Sequence, residues 1–132
     1  CLGNEMGLKW ATDIKVFSLL GHGFEMAKAS GVCLRIEADK VPYTSGARKY
    51  ASLWTFPGGT SDNRLYFNPH IRFKVGIPEE EQMLLFDAQT SGGLLLAVPA
   101  EKTKAFLARA GEMDLPVWKI GEVLEGSGIE VV

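Results

Sequence analysis

Cysteine is nearly absent. Cys1 and Cys33 are the only two in 132 residues, too few for a disulfide framework and without metal-ligand spacing. Histidine is as scarce: neither His22 nor His70 has a second histidine or cysteine at metal spacing. Long apolar runs are missing too. The longest, such as 94–98, fall far short of the roughly 20 residues needed to cross a bilayer, and no signal-peptide pattern opens the chain. No run of five like charges occurs, and 14 basic against 16 acidic residues give a net charge of -2. The electrostatic footprint of a nucleic-acid binder is therefore missing. There is no internal repeat, no Gly-Lys-Ser/Thr of a P-loop and no arguable Ser-His-Asp arrangement. These absences lead us to expect a soluble, intracellular protein with neither nucleic acid nor membrane as partner.

What is present is ordinary globular composition, 46% hydrophobic and 23% charged, and we expect one domain over 1–132 with a poorly defined segment at 1–10. Phe17, Leu20, Phe24 and Ala27 recur at helical spacing, opposite a polar stripe of Lys15, Ser18, His22 and Glu25. This predicts a helix over 13–30, stopped by Gly31. Val32, Leu34, Ile36 and Ala38 alternate with Cys33, Arg35 and Glu37, as in a strand with one face on the core and Cys33 half-buried. Ala47, Tyr50, Ala51 and Trp54 predict a second helix, with Ser45 available as its cap. Pro57, Gly58 and Gly59 then imply a loop over 57–63. Ile71, Phe73 and Val75 alternate as a strand, and Glu79, Glu80 and Glu81 suit the first turn of a short helix over 78–86.

The apolar run 94–98 reads as a central strand buried on both faces. A helix follows to Ala110, with Phe106 and Leu107 as core candidates and Gly111 as its end. Closing strands are expected over 117–123 and 129–132 about the 125–128 turn. Trp10, Trp54 and Trp118 are expected in or at the edge of the core.

Three polar clusters fall at joints between elements, where ligand-binding groups are commonly displayed. They are Thr12-Asp13, the stretch from Pro57 to Asn63, and the stretch from Asp87 to Gly93. Asp13 can ligate a hard cation such as Mg²⁺, which prefers a few carboxylates with phosphate oxygens and water, or cap a helix. Gln89-Thr90-Ser91-Gly92-Gly93 offers hydroxyls and two glycines whose backbone N–H groups can approach an anion; it can equally be a turn feeding the next strand. Lys15, near Asp13, could reach a phosphate, and His22 is expected solvated or at an interface.

Taken together, Thr12-Asp13-Ile14, Leu19-Leu20-Gly21-His22, the stretch 25–32, Pro57-Gly58-Gly59-Thr60 with Asn63, Leu85-Phe86-Asp87, Gln89-Thr90-Ser91-Gly92-Gly93-Leu94-Leu95 and Ile120-Gly121-Glu122-Val123 are specific. From about 11 to 123 the chain resembles the C-terminal domain of the selenophosphate synthetase (selenide, water dikinase) family, in the aminoimidazole ribonucleotide synthetase superfamily. The resemblance implies an α+β domain of the PurM C-terminal type, a mixed β-sheet with packed helices. It implies an enzyme that turns ATP, selenide and water into selenophosphate, AMP and orthophosphate with Mg²⁺. Such enzymes are homodimers whose active site lies between two domains.

Asp13 then corresponds to the metal-binding aspartate. Thr12, Lys15, Gly58, Gly59, Thr60, Asn63, Thr90, Ser91, Gly92 and Gly93 are the nucleotide- or phosphate-binding candidates. No catalytic residue is expected in this chain, which is expected to be inactive without the N-terminal domain. Two departures are visible. Lys15-Val16-Phe17-Ser18 stands where the family reads Thr-Gly-Phe-Gly, and Ala88 replaces a proline. The alternative reading is a diverged, non-catalytic binding or assembly module of the same fold.

Overall fold

The computed structural model describes residues 2–132; Cys1 lies outside the described residues. Among the described residues six α-helices and six strands follow one another as α1 (Leu2–Glu5), β1 (Trp10–Asp13), α2 (Ser18–Ser30), β2 (Cys33–Ile36), α3 (Ala47–Ser52), α4 (Gly58–Phe67), β3 (Ile71–Phe73), α5 (Glu79–Leu85), β4 (Leu94–Ala97), α6 (Ala100–Glu112), β5 (Gly121–Leu124) and β6 (Gly128–Val131). Four strands form a mixed sheet in the order β3-β6-β2-β5. In it β6 runs parallel to both β3 and β2, and β5 is antiparallel to β2. The other two, β1 and β4, make a separate antiparallel ribbon, with Asp13 opposite Leu94. This is the expected α+β architecture of mixed strands with packed helices.

The four-stranded sheet is apolar on one side only. Leu34, Ile36, Ile129 and Val131 are buried against Leu20, Phe24 and Ala27 of α2 and against Leu85 and Phe86. On the other side Arg72, Glu130, Arg35 and Glu122 form a row of alternating sign across all four strands, with N···O distances of 3.0, 3.7 and 3.3 Å. The hydrogen bond from Arg72 does most to hold the Glu130 carboxyl below its ordinary range. Cys33 belongs to this polar side by alternation yet is only 2% exposed, so it is fully rather than half buried.

Helix α2 joins ribbon to sheet. A side chain at Gly23 would touch Ile129, Leu34 and Leu95, one residue from each of β6, β2 and β4. The helix ends as its sequence predicts, at Gly31 with φ 64°, but it starts five residues later than the apolar spacing suggests. Asp13 is the last residue of β1, and Ser18, with φ 70°, marks the turn into the helix.

Several other expectations are corrected. The stretch 57–63 is mostly helix, because Pro57 takes the N-cap position of α4 and the glycines fall in its first turn, where they interrupt little. The run 94–98 is not a central strand. β4 pairs with β1 alone, Leu94 is 61% exposed, and the remainder is only partly buried. Helix α3 ends at Ser52 and is preceded by Gly46 rather than capped by Ser45. Tyr50 and Trp54 lie exposed, as do Trp10, Trp118, Val75 and Leu107, whereas Phe106 is buried as expected. Of the closing strands, β5 is shorter, beginning only at Gly121, β6 lies one residue earlier than expected, and α6 runs through Gly111. His22 is half-buried, its Nδ1 3.1 Å from Glu25. Residues 2–9, which carry no clear pattern, include α1; its Leu2 joins Phe106 and Ala110 in a second small core beneath β4.

Candidate functional site

The three polar joints meet. The corner after β1 is stitched to the loop between α5 and β4 by backbone hydrogen bonds. Ile14 N–H donates to Gly93 O at 2.8 Å, Gly92 N–H to Ile14 O at 2.8 Å, and Gln89 N–H to Lys15 O at 3.3 Å. This extends the ribbon pairing of Asp13 with Leu94 by a further step, so Asp13 stands next to the double glycine. Both glycines are required locally. Gly93 has φ 100°, open essentially to glycine alone, and a side chain on Gly92 would run into Gln89 and the Ile14 carbonyl.

Asp13 is exposed, and its carboxylate sits 3.0 Å from Lys15 Nζ, which is exposed as well. Thr90, Ser91, Gly92 and Gly93 are all exposed beside it. Strand alternation turns Thr12 to the opposite side of the ribbon from Asp13. There it lines a groove of about 270 Å³ with Trp10, Met26 and Ala29. The structure thus unites Asp13, Lys15 and the 90–93 loop and leaves the Thr12 side chain apart.

From α4 come two quite different pairs. Gly58 is exposed at the start of the helix, and Gly59 packs so closely on Ala88 that a side chain there would press on it. Thr60 and Asn63, by contrast, are buried and hydrogen-bonded to protein. Thr60 Oγ1 donates to Asp87 at 3.3 Å and accepts from Ala88 N–H at 3.4 Å. Asn63 Nδ2 donates to the carbonyls of Val16 at 2.7 Å and Phe86 at 3.1 Å. Asp87 was not among the site candidates from sequence, although it opens the third polar joint. Burial raises its pKa above the ordinary value, and the Thr60 hydrogen bond offsets this in part.

The residues present fit a hard cation as part of a ligand set. One accessible carboxylate beside glycine amides suits Mg²⁺, which keeps waters and phosphate oxygens in its shell. Among the described residues no group of three or more His, Cys, Asp or Glu side chains is placed to hold a metal, so an ion at Asp13 would need ligands from outside this corner. The larger surface cavity, about 390 Å³ between Asp39, Tyr43 and Arg48, contains none of these residues.

A family model described as AIR synthase related protein, C-terminal domain, matches residues 2–132. A selenide, water dikinase of Caldanaerobacter subterraneus subsp. tengcongensis is 39% identical over 124 residues, covering 92% of this chain and 35% of the relative. One from Bordetella bronchiseptica is 44% identical over 122 residues, with the same two coverages. The chain therefore spans about a third of the length of these curated relatives. Among solved structures, thiamine-monophosphate kinase from Stenotrophomonas maltophilia K279a matches with a TM-score of 0.63 at 18% identity, over 94% of this chain and 31% of that one. At that identity the likeness concerns the fold.

Proposed function

Because this chain belongs to the AIR synthase related proteins, as their C-terminal domain, we propose that it is the C-terminal portion of a selenide, water dikinase. In this reading it takes part in converting ATP, selenide and water to selenophosphate, AMP and orthophosphate, at a site completed by an N-terminal domain. The sequence kinship with two named dikinases supports the reaction class. One observation carries the site: an exposed Asp13 at the end of β1, whose neighbour Ile14 is hydrogen-bonded to both residues of the Gly92-Gly93 bend.

Each residue then has a task that its position suits. Asp13 holds one face of Mg²⁺, and the bound ion neutralises phosphate charge that would otherwise oppose attack. Lys15, on a flexible stem 3.0 Å from Asp13, turns to a phosphate oxygen as a second positive charge. The hydroxyls of Thr90 and Ser91 and the N–H of Gly93, all on exposed residues, hydrogen-bond phosphate oxygens, while Gly92 N–H stays on Ile14 O and shapes the bend. Gly58 and Gly59, at the exposed start of α4, border the same space. Thr12 acts from the ribbon's other side, through its backbone in β1. The rest of the enzyme supplies the reacting groups, and the complete protein is a cytoplasmic homodimer.

A chimera tests this. The chain replaces the matching segment of the Bordetella bronchiseptica enzyme, and AMP formation from ATP and selenide is followed. We expect turnover by the chimera, none by the 132-residue chain alone, and at least about a 100-fold loss in Asp13→Ala, the scale of several kcal/mol of metal-held charge. A chimera that folds and binds its partner domain normally, yet turns over equally with and without Asp13, points instead to a non-catalytic assembly module. The Lys15 ion pair on Asp13 is the feature favouring that second reading.

A further inference from the structure

The corner 14–17 and the loop 86–93 are both irregular backbone, so something must fix one against the other for a site between them to have a shape. Among the described residues, Asn63 is the side chain that hydrogen-bonds to both. It is 6% exposed, and its amide spends its protons on Val16 O of the corner and Phe86 O of the loop. One turn earlier on the same face of α4, Thr60 is fully buried and grips the next two loop residues, Asp87 and Ala88. A donor at position 63 and a hydroxyl at position 60, both withdrawn from solvent, are in the wrong place to meet a phosphate and in the right place to clamp two loops.

We propose that Asn63 is the positioning residue of the Asp13 site, fastening the 14–17 corner to the 86–93 loop through α4, with Thr60 as its second anchor. Neither side chain touches the nucleotide. The functional part of this rests on the reading of Asp13 as a cation ligand; the mechanical part does not.

The test is amide hydrogen exchange on the full 132-residue chain. The corner is reported by Ile14, Gln89 and Gly92, whose N–H groups bridge corner and loop, and the fold by the amides of β2 and β6. Removing two hydrogen bonds of ordinary net strength corresponds to roughly 10-fold or more in a local opening equilibrium. In Asn63→Ala the corner amides are expected to exchange at least about 10-fold faster relative to those of β2 and β6. Asn63→Asp, which cannot donate, should do the same. A purely structural role in α4 speeds both sets alike, and an unchanged ratio overturns the proposal.

Should Asn63→Ala fail to fold, Thr60→Val carries the test. It keeps the shape and removes the hydroxyl, so Ala88 and Gln89 should accelerate selectively; uniform acceleration counts against the clamp. Mn²⁺ broadening of the Asp13 and Ile14 amide signals separates the two readings. Broadening absent from the unsubstituted chain and from its chimera removes the cation assignment and leaves the exchange ratio to decide Asn63. Broadening present in the chimera should weaken in Asn63→Ala.

Discussion

Asp87 is a carboxylate kept where it is costly to ionise. It is half-buried at the mouth of the 87–93 loop, and burial lifts its pKa above the ordinary 3.8. Because the folded state holds that proton more tightly than the unfolded chain, stability falls as pH rises from the unfolded pKa through the raised folded one. Above that window the cost is constant; below it the cost vanishes. Asp87→Asn retains an acceptor for Thr60 and drops the charge. The variant is expected to be more stable than the parent at pH 7 in urea, with the difference closing as pH falls through that window and gone below about 4. An unchanged midpoint at pH 7 would show that no such cost is present. Of the residues around it, Asp13 and Gly93 were legible in sequence as polar groups at joints. The burial of Thr60 and Asn63 was not, since their shared face exists only once 58–67 is helical, and Pro57-Gly58-Gly59 reads as a turn.

At the level of elements, the start of α2 is the most constrained point. Ser18 is fully buried with φ 70°, a conformation costing a non-glycine residue roughly 1–2 kcal/mol. Its Oγ nevertheless accepts from Gly21 N–H at 3.2 Å, the bond of a helix cap. Alanine keeps the strain and loses the cap, while glycine loses the cap and sheds the strain. Ser18→Gly should therefore be more stable than Ser18→Ala by about 1 kcal/mol or more, read from chemical denaturation; the reverse order would mean that the strain is absent. Three residues on, the helix presses Gly21 against Phe67 of α4 so closely that a methyl group would overlap the ring. Gly21→Ala is expected to cost roughly 1–3 kcal/mol.

The body of α2 and the strand β2 are readable because local periodicity and tertiary burial agree, and α5 because its acidic first turn marks a helix start. β4 is not. Leu94-Leu95-Leu96-Ala97 carries the composition of an interior strand, and no local signal tells that its only hydrogen-bonded neighbour is β1.

For the molecule as a whole, the hydrophobic interior is divided. A large cluster lies between the four-stranded sheet and α2, and a small one of Leu2, Phe106 and Ala110 lies under the ribbon. Regions with few buried apolar contacts open first, so α1, α6 and the outer ribbon should exchange amide protons before β2 and β6. Phe106→Ala, which removes the centre of the small cluster, should accelerate exchange in α6 and β4 far more than in the four-stranded sheet. Equal acceleration throughout would show a single cooperative unit. Asp13 sits at this divide, on the ribbon but tied through Ile14 and Asn63 to the larger core.

The pairing of Lys15 with Asp13 makes the carboxylate a seat already taken. In the proposed cation reading, an arriving divalent ion would displace the ammonium, and the displaced group, within one side chain's reach, would then be available to whatever anion travels with the metal. Occupation of the site would in this sense be an exchange of counter-ions rather than the filling of a vacancy, between partners that are both exposed and so increasingly screened as salt rises.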